Sequence, residues 1–231
     1  MLEKREELNK QELKYFDGVS LRQEDSVWKL KTPDGEIILP KELGRHLYFA
    51  IKLIIGFIVE TKGNPIPDRL SKKTFTRAVS NFECFTFVAR SMGWKLPIKF
   101  LRNPSHTSHI QLFRKEKYLK LENAKEIIKH LEEISSSLNS NIFVGQMYDD
   151  KNGYVTHTFF ALNINGVFYE IAKNGMGGGI NVDKIENSFK NTTDIKSSAY
   201  YYGNRFAFTT YNSLHEHPVL IDHYSKPHFT E

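Results

Sequence analysis

The chain has 231 residues, 40% of them hydrophobic and 13% aromatic, enough to bury one substantial core. Its single cysteine excludes an intramolecular disulfide framework and a multi-cysteine zinc site. The formal charge of +5 comes from lysines scattered along the chain, which permits an acidic partner without demanding one, and no nucleic-acid-binding motif accompanies it.

In chain order, residues 2–15 carry Leu2, Leu8 and Leu13 among charges, which predicts a weakly amphipathic helix and rules out a secretory h-region. Val27–Leu30 and Glu36–Leu39 flank Thr32-Pro33-Asp34-Gly35 and read as a β-hairpin. An apolar helix follows from Lys41 to Thr61. Its most hydrophobic run, Leu47–Val59, is interrupted by Lys52 and is too short to span a bilayer. No membrane span is expected, and the reading is a soluble protein, cytoplasmic or exported without a recognisable signal peptide. Gly63-Asn64-Pro65-Ile66-Pro67-Asp68 is the best linker. Beyond it come a helix carrying the cysteine and ending near Gly93, short strands at 99–101 and 110–113, and a helix over 122–138 with Ile127, Ile128, Leu131 and Ile134 at helical spacing. Strands at 142–147, 154–163 and 167–172 are next, the last two joined by Asn165-Gly166, a strong hairpin signal. A glycine-rich loop at 174–180 and a strand over 204–210 complete an α+β plan. The expected divisions are an accessory segment over 1–63, a main domain over 64–212 and a tail over 213–231.

Cys84 stands in a telling place. Ser80 and Glu83 fit the S-x-x-E capping box, which puts the cysteine in the first turn of a helix. There the unpaired N–H groups and the helix dipole favour thiolate over thiol. Such a residue is either a nucleophile or a small hydrophobe packed beside Phe82, Phe85 and Val88. A nucleophile needs a base with an orienting group behind it. His157 is one imidazole in a mostly apolar row, with Val155, Phe159 and Ala161 on the same strand face by alternation. A four-residue loop at 163–166 would pair Phe159 with Glu170 and leave Glu170 diagonal to His157. A two-residue Asn165-Gly166 turn would instead set Asn174 opposite His157. Either residue could fix the imidazole tautomer.

These residues resemble a known family. "ECFTFVARSMGWKLP" is similar to the D-C-S-x-L-V helix and later G-x-x-L-P of the NlpC/P60 cysteine peptidases. "HTFFALNINGVFYEIA" resembles their histidine strand, hairpin and third polar residue, and "GNRFAFTTYN" their last strand. The resemblance covers residues 64–212. It implies a papain-like fold with the cysteine helix packed on an antiparallel sheet, with Cys84 as nucleophile, His157 as base and Glu170 in third place. It also implies amide hydrolysis through an acyl-enzyme without metal or cofactor, acting on a peptide or peptidoglycan fragment. Glu83 stands where that family has aspartate, and Phe85-Thr86 where it has a small Ser-Gly pair. The wider papain-like superfamily offers a protease or glutamine deamidase acting on protein. A non-catalytic binding module, with Cys84 and His157 simply packed, is the reading of another class.

Other groups carry blander readings. His215, Glu216, His217, Asp222, His223 and His228 could ligate zinc or nickel but lie in a polar tail. His106 and His109 read as loop residues, and Tyr200–Tyr202 as sheet core or edge. Gly177–Gly179 lacks dinucleotide-site spacing and reads as a loop beside the proposed site.

Overall fold

The computed structural model describes residues 11–14, 18–61, 84–94, 112–113, 115–149, 154–173, 180–189 and 205–216. The expected linker at 63–68, the capping-box residues Ser80 and Glu83, the strand at 99–101, His106, His109, the loop residues 174–179, Tyr200–Tyr202 and the tail from 217 onward lie outside them.

The first sheet is an antiparallel meander of β1 (Gln11–Lys14), β2 (Ser20–Glu24), β3 (Val27–Thr32) and β4 (Gly35–Leu39). The expected β3–β4 hairpin forms about Pro33-Asp34, with Thr32 paired to Gly35. The helix expected over 2–15 does not extend to residues 11–14, which form β1 and pair with β2, Leu13 opposite Leu21. Three leucines in a charged stretch fit a half-buried strand as readily as a weak helix, and the neighbouring strand decides. β2 went unread because its turn, Asp25-Ser26, lacks glycine, although both residues adopt left-handed φ values of 47° and 70°.

Helix α1 (Lys41–Thr61) runs over the residues expected. It buries Leu43, Leu47, Ala50 and Ile51, a one-sided stripe at helical spacing. Trp28 of β3 lies so close to Gly44 that a Cβ there would collide with its side chain. The cysteine helix α2 (Cys84–Ser91) ends in a turn through Gly93, whose φ is 77°. Leu112 and Phe113 form a bend and not the end of a strand, and Leu112 N–H donates to the buried Gln146 side chain at 2.7 Å. A short 3-10 turn at Lys115–Lys117 and β5 (Leu119–Lys120) lead to α3 (Ala124–Leu138). Asn123 caps α3 by accepting from Glu126 N–H at 3.1 Å, and Asn139 ends it at a φ of 45°.

The second sheet has six antiparallel strands in the order β5-β10-β6-β7-β8-β9. It comprises β6 (Ile142–Asp149), β7 (Tyr154–Ile164), β8 (Val167–Lys173), β9 (Ile180–Lys184) and β10 (Arg205–Thr210). A one-turn helix α4 (Ile185–Ser188) follows β9, and α5 (Tyr211–Glu216) follows β10. The chain is therefore an α+β protein with antiparallel sheets. Among the described residues no helix is long and apolar enough to cross a membrane.

Alternation along the central strands builds two cores. Val144, Phe160, Leu162 and Ile171 face α2, and with Leu43, Leu47, Trp28 and Leu30 they form one cluster that joins the helices to the first sheet. Phe143, Phe159, Ala161, Phe168 and Phe206 face the other way, against Ile127 and Leu131 of α3 and Ile185 of α4. The turn of the first sheet is tied to the second as well. Tyr169 O–H donates to Asp34 Oδ2, Lys184 lies 2.9 Å from that oxygen, and Asn165 donates to the Asp34 carbonyl at 2.9 Å.

Candidate active site

Three chain segments bring Cys84, His157 and Glu170 together. Cys84 is the first residue of α2, at the end whose N–H groups have no carbonyl within the helix. The residues after it, Phe85, Thr86, Phe87, Val88 and Ala89, are all buried, so packing holds the helix while the cysteine stays half-buried. Phe87 meets Phe160 edge-on at 6.1 Å, which fixes α2 against β7.

His157 is on β7 and only 3% exposed. The face expected for it needs one correction. Met147 pairs with His157, but Tyr148 pairs with Val155, so Thr156 is an extra residue in β7. This bulge breaks the alternation. Val155 turns away from the Phe159 face and packs with Tyr118, Tyr148 and Ala207, while His157 keeps company with Phe159 and Phe189. The Phe159 ring lies nearly parallel to the imidazole, with centroids 5.3 Å apart.

The β7–β8 turn is the tight one: Ile164 pairs with Val167, and Asn165 and Gly166 take φ values of 53° and 85°. Glu170 then falls opposite Ala161, not Phe159. The diagonal geometry is therefore not what joins it to His157. Both side chains share one face, however, and they lean along it until Glu170 Oε1 lies 2.6 Å from His157 Nε2. Asn174, the alternative partner, lies outside the described residues.

Glu170 has no exposed surface, and a buried carboxylate needs its oxygens bonded. Oε2 accepts from Asn181 Nδ2 at 3.0 Å, and the same amide donates to Ser188 Oγ at 3.1 Å. Asn181 was missed in the sequence because β9 was read as part of a loop and a short segment. The signal was there, since Ile180 and Val182 alternate with Asn181 and Asp183. In the ladder Asn181 pairs with Ala172, one step diagonal from Glu170.

The electrostatics follow from these contacts. Burial alone would push the His157 pKa down, but hydrogen bonds to Cys84 and Glu170, and the charges of both, outweigh it and raise it to about 9. The imidazole thus interacts with both Cys84 and Glu170, the latter at Nε2. The last β7–β8 pair is Phe160–Ile171, so His157 lies three residues beyond that ladder.

Among the described residues no group of three or more histidine, cysteine or acidic side chains could hold a metal ion. Of the candidate tail ligands, only His215 and Glu216 fall within a described element, α5. No family model, curated protein or solved structure matches the chain.

Proposed function

We propose that Cys84, His157 and Glu170 form the catalytic triad of a papain-like cysteine hydrolase that cleaves an amide bond, with peptidoglycan stem peptides as the substrate class. The observation that carries this reading is the 2.6 Å contact of His157 with the fully buried Glu170 carboxylate, on an imidazole whose pKa Cys84 also raises, the three residues coming from three separate segments. A merely packed cysteine requires none of these partners.

In this mechanism the reacting pair is the Cys84 thiolate and the His157 imidazolium, whose charged form a pKa of about 9 favours. The thiolate attacks the carbonyl carbon, and the charge that develops on oxygen meets backbone N–H groups at the start of α2. Collapse expels the amine, which takes the His157 proton and leaves a thioester on Cys84. Water then attacks the thioester, His157 accepts its proton, and the acid departs. Glu170 holds the ring and its charge throughout.

The test is incubation with muropeptides that bear intact stem peptides, with products and protein adducts read by mass spectrometry. Stem-peptide cleavage, lost by about a thousandfold or more in Cys84→Ser, supports the proposal. Deamidation of glutamine in a protein such as casein, with muropeptides intact, would move the substrate to protein. An absence of turnover and of Cys84 adducts on either would overturn the hydrolase reading.

A further inference from the structure

The Glu170 carboxylate depends on a second contact. Its end torsion is soft and two-fold, so a bond from one oxygen to His157 leaves the group able to turn. The other oxygen, Oε2, accepts from Asn181 Nδ2 at 3.0 Å, and these are the two hydrogen bonds of Glu170 among the described residues. An ionised carboxylate only accepts, so the half-buried Asn181 amide must turn its nitrogen toward Glu170. The second N–H of that nitrogen goes to Ser188 Oγ at 3.1 Å, which fixes the amide plane. The surroundings hold both residues in place. Asp183 Oδ1 accepts from Lys184 N–H at 2.7 Å and from Asn187 Nδ2 at 2.8 Å, tying β9 to α4. Ile185 and Phe189 are buried on either side of Ser188, and the Phe189 ring lies 5.2 Å from that of Phe159.

We infer that Asn181 is a positioning residue of the triad: its amide, braced by Ser188, holds the Glu170 carboxylate in the orientation that meets His157. This role rests on the hydrolase reading and extends it to β9 and α4, which carry no member of the triad. Without the amide, a fully buried carboxylate loses one of its two donors. The cost either draws the shared proton from His157 toward Glu170 or lets the group swing away. Both changes weaken the hold on the imidazole that serves Cys84.

The experiment measures alkylation of Cys84 by iodoacetamide in the full chain, with circular dichroism confirming that each variant is folded. Asn181→Leu should slow the reaction at pH 7 about threefold or more, and Ser188→Ala, which removes only the brace, should slow it less. Asn181→Asp keeps the shape of the side chain, so its rate relative to wild type should fall as pH rises and the introduced carboxyl stops donating. A packing role would leave that pH profile unmoved. Asn187→Ala, at an exposed amide of the same unit, should react as wild type does. In a His157→Ala background the effect of Asn181→Leu should vanish, because it acts through the imidazole. Should Asn181→Leu fail to fold, Asn181→Asp and Ser188→Ala carry the same comparison. Wild-type rates in the Asn181 variants, or equal slowing with and without His157, would overturn the inference and leave the triad standing. A thiol indifferent to His157→Ala would overturn the hydrolase reading and this role with it.

Discussion

At the scale of single residues, His157 and Glu170 make two measurable claims. Folding raises the His157 pKa from the roughly 6.5 of an unfolded histidine to about 9. Between these values the folded state holds more protons than the unfolded one. Stability from this group is therefore complete below about pH 6.5 and is lost as pH rises through about 9. Urea denaturation should show this contribution falling as pH rises through that window, with a flatter profile in His157→Ala. Glu170→Gln keeps the shape of the side chain but removes the charge that helps to hold the imidazolium. The alkaline limb of kcat/KM, set near the His157 pKa, should move to lower pH in that variant; an unmoved limb would mean that Glu170 does not act through His157. Both residues were legible from strand parity, but the turn and the partner came from different readings. The tight turn predicted Asn174 as the partner, whereas the long Glu170 side chain reaches His157 from a position the ladder places further away. Parity names the face that a residue occupies. It does not say how far its side chain leans along that face.

At the scale of elements, periodic segments read well and locally silent ones did not. Helix α3 and strands β6, β7 and β8 carry long hydrophobic patterns and stand where the sequence put them. β1, β2 and β9 are short strands of four or five residues, and pairing with neighbours defines them more than their own composition does. The bulge at Thr156 leaves no mark in the pattern, because Val155 is buried on either face. Two glycines test the packing of these elements. Gly166→Ala adds a methyl with nothing within 4 Å of it, so its cost comes from the backbone at a φ of 85°, about 1 kcal/mol. Gly44→Ala drives a methyl into the Trp28 side chain and should cost more, about 1–3 kcal/mol. Thermal or urea unfolding gives both values, and equal costs would contradict the close approach of α1 to β3.

At the scale of the whole molecule, the residues before and after position 63 share one buried cluster. Leu21, Trp28 and Leu30 of the first sheet meet Leu43 and Leu47 of α1, which in turn join Phe85 and Val88 of α2 and Phe160 of β7. The sequence suggested an accessory segment because prolines at 65 and 67 break regular structure. A chain break in secondary structure, however, does not prevent one core from forming across it. Unfolding should therefore be a single cooperative transition. In Trp94→Phe, where Trp28 is the remaining tryptophan, fluorescence and far-ultraviolet circular dichroism should give coincident curves. An earlier fluorescence transition would show the first sheet melting by itself. The candidate site draws on the same cohesion, since buried α2 residues hold Cys84 against a sheet that presents His157.

The alkylation of Cys84 by iodoacetamide at pH 7 bears most directly on the triad, and with one cysteine in the chain every adduct reports that residue. A native thiol coupled to His157 should react rapidly in the wild type and at least about tenfold more slowly in His157→Ala. A thiol that stays inert until the protein is unfolded, or reacts equally in both proteins, would contradict the coupled pair and leave Cys84 a packed structural residue.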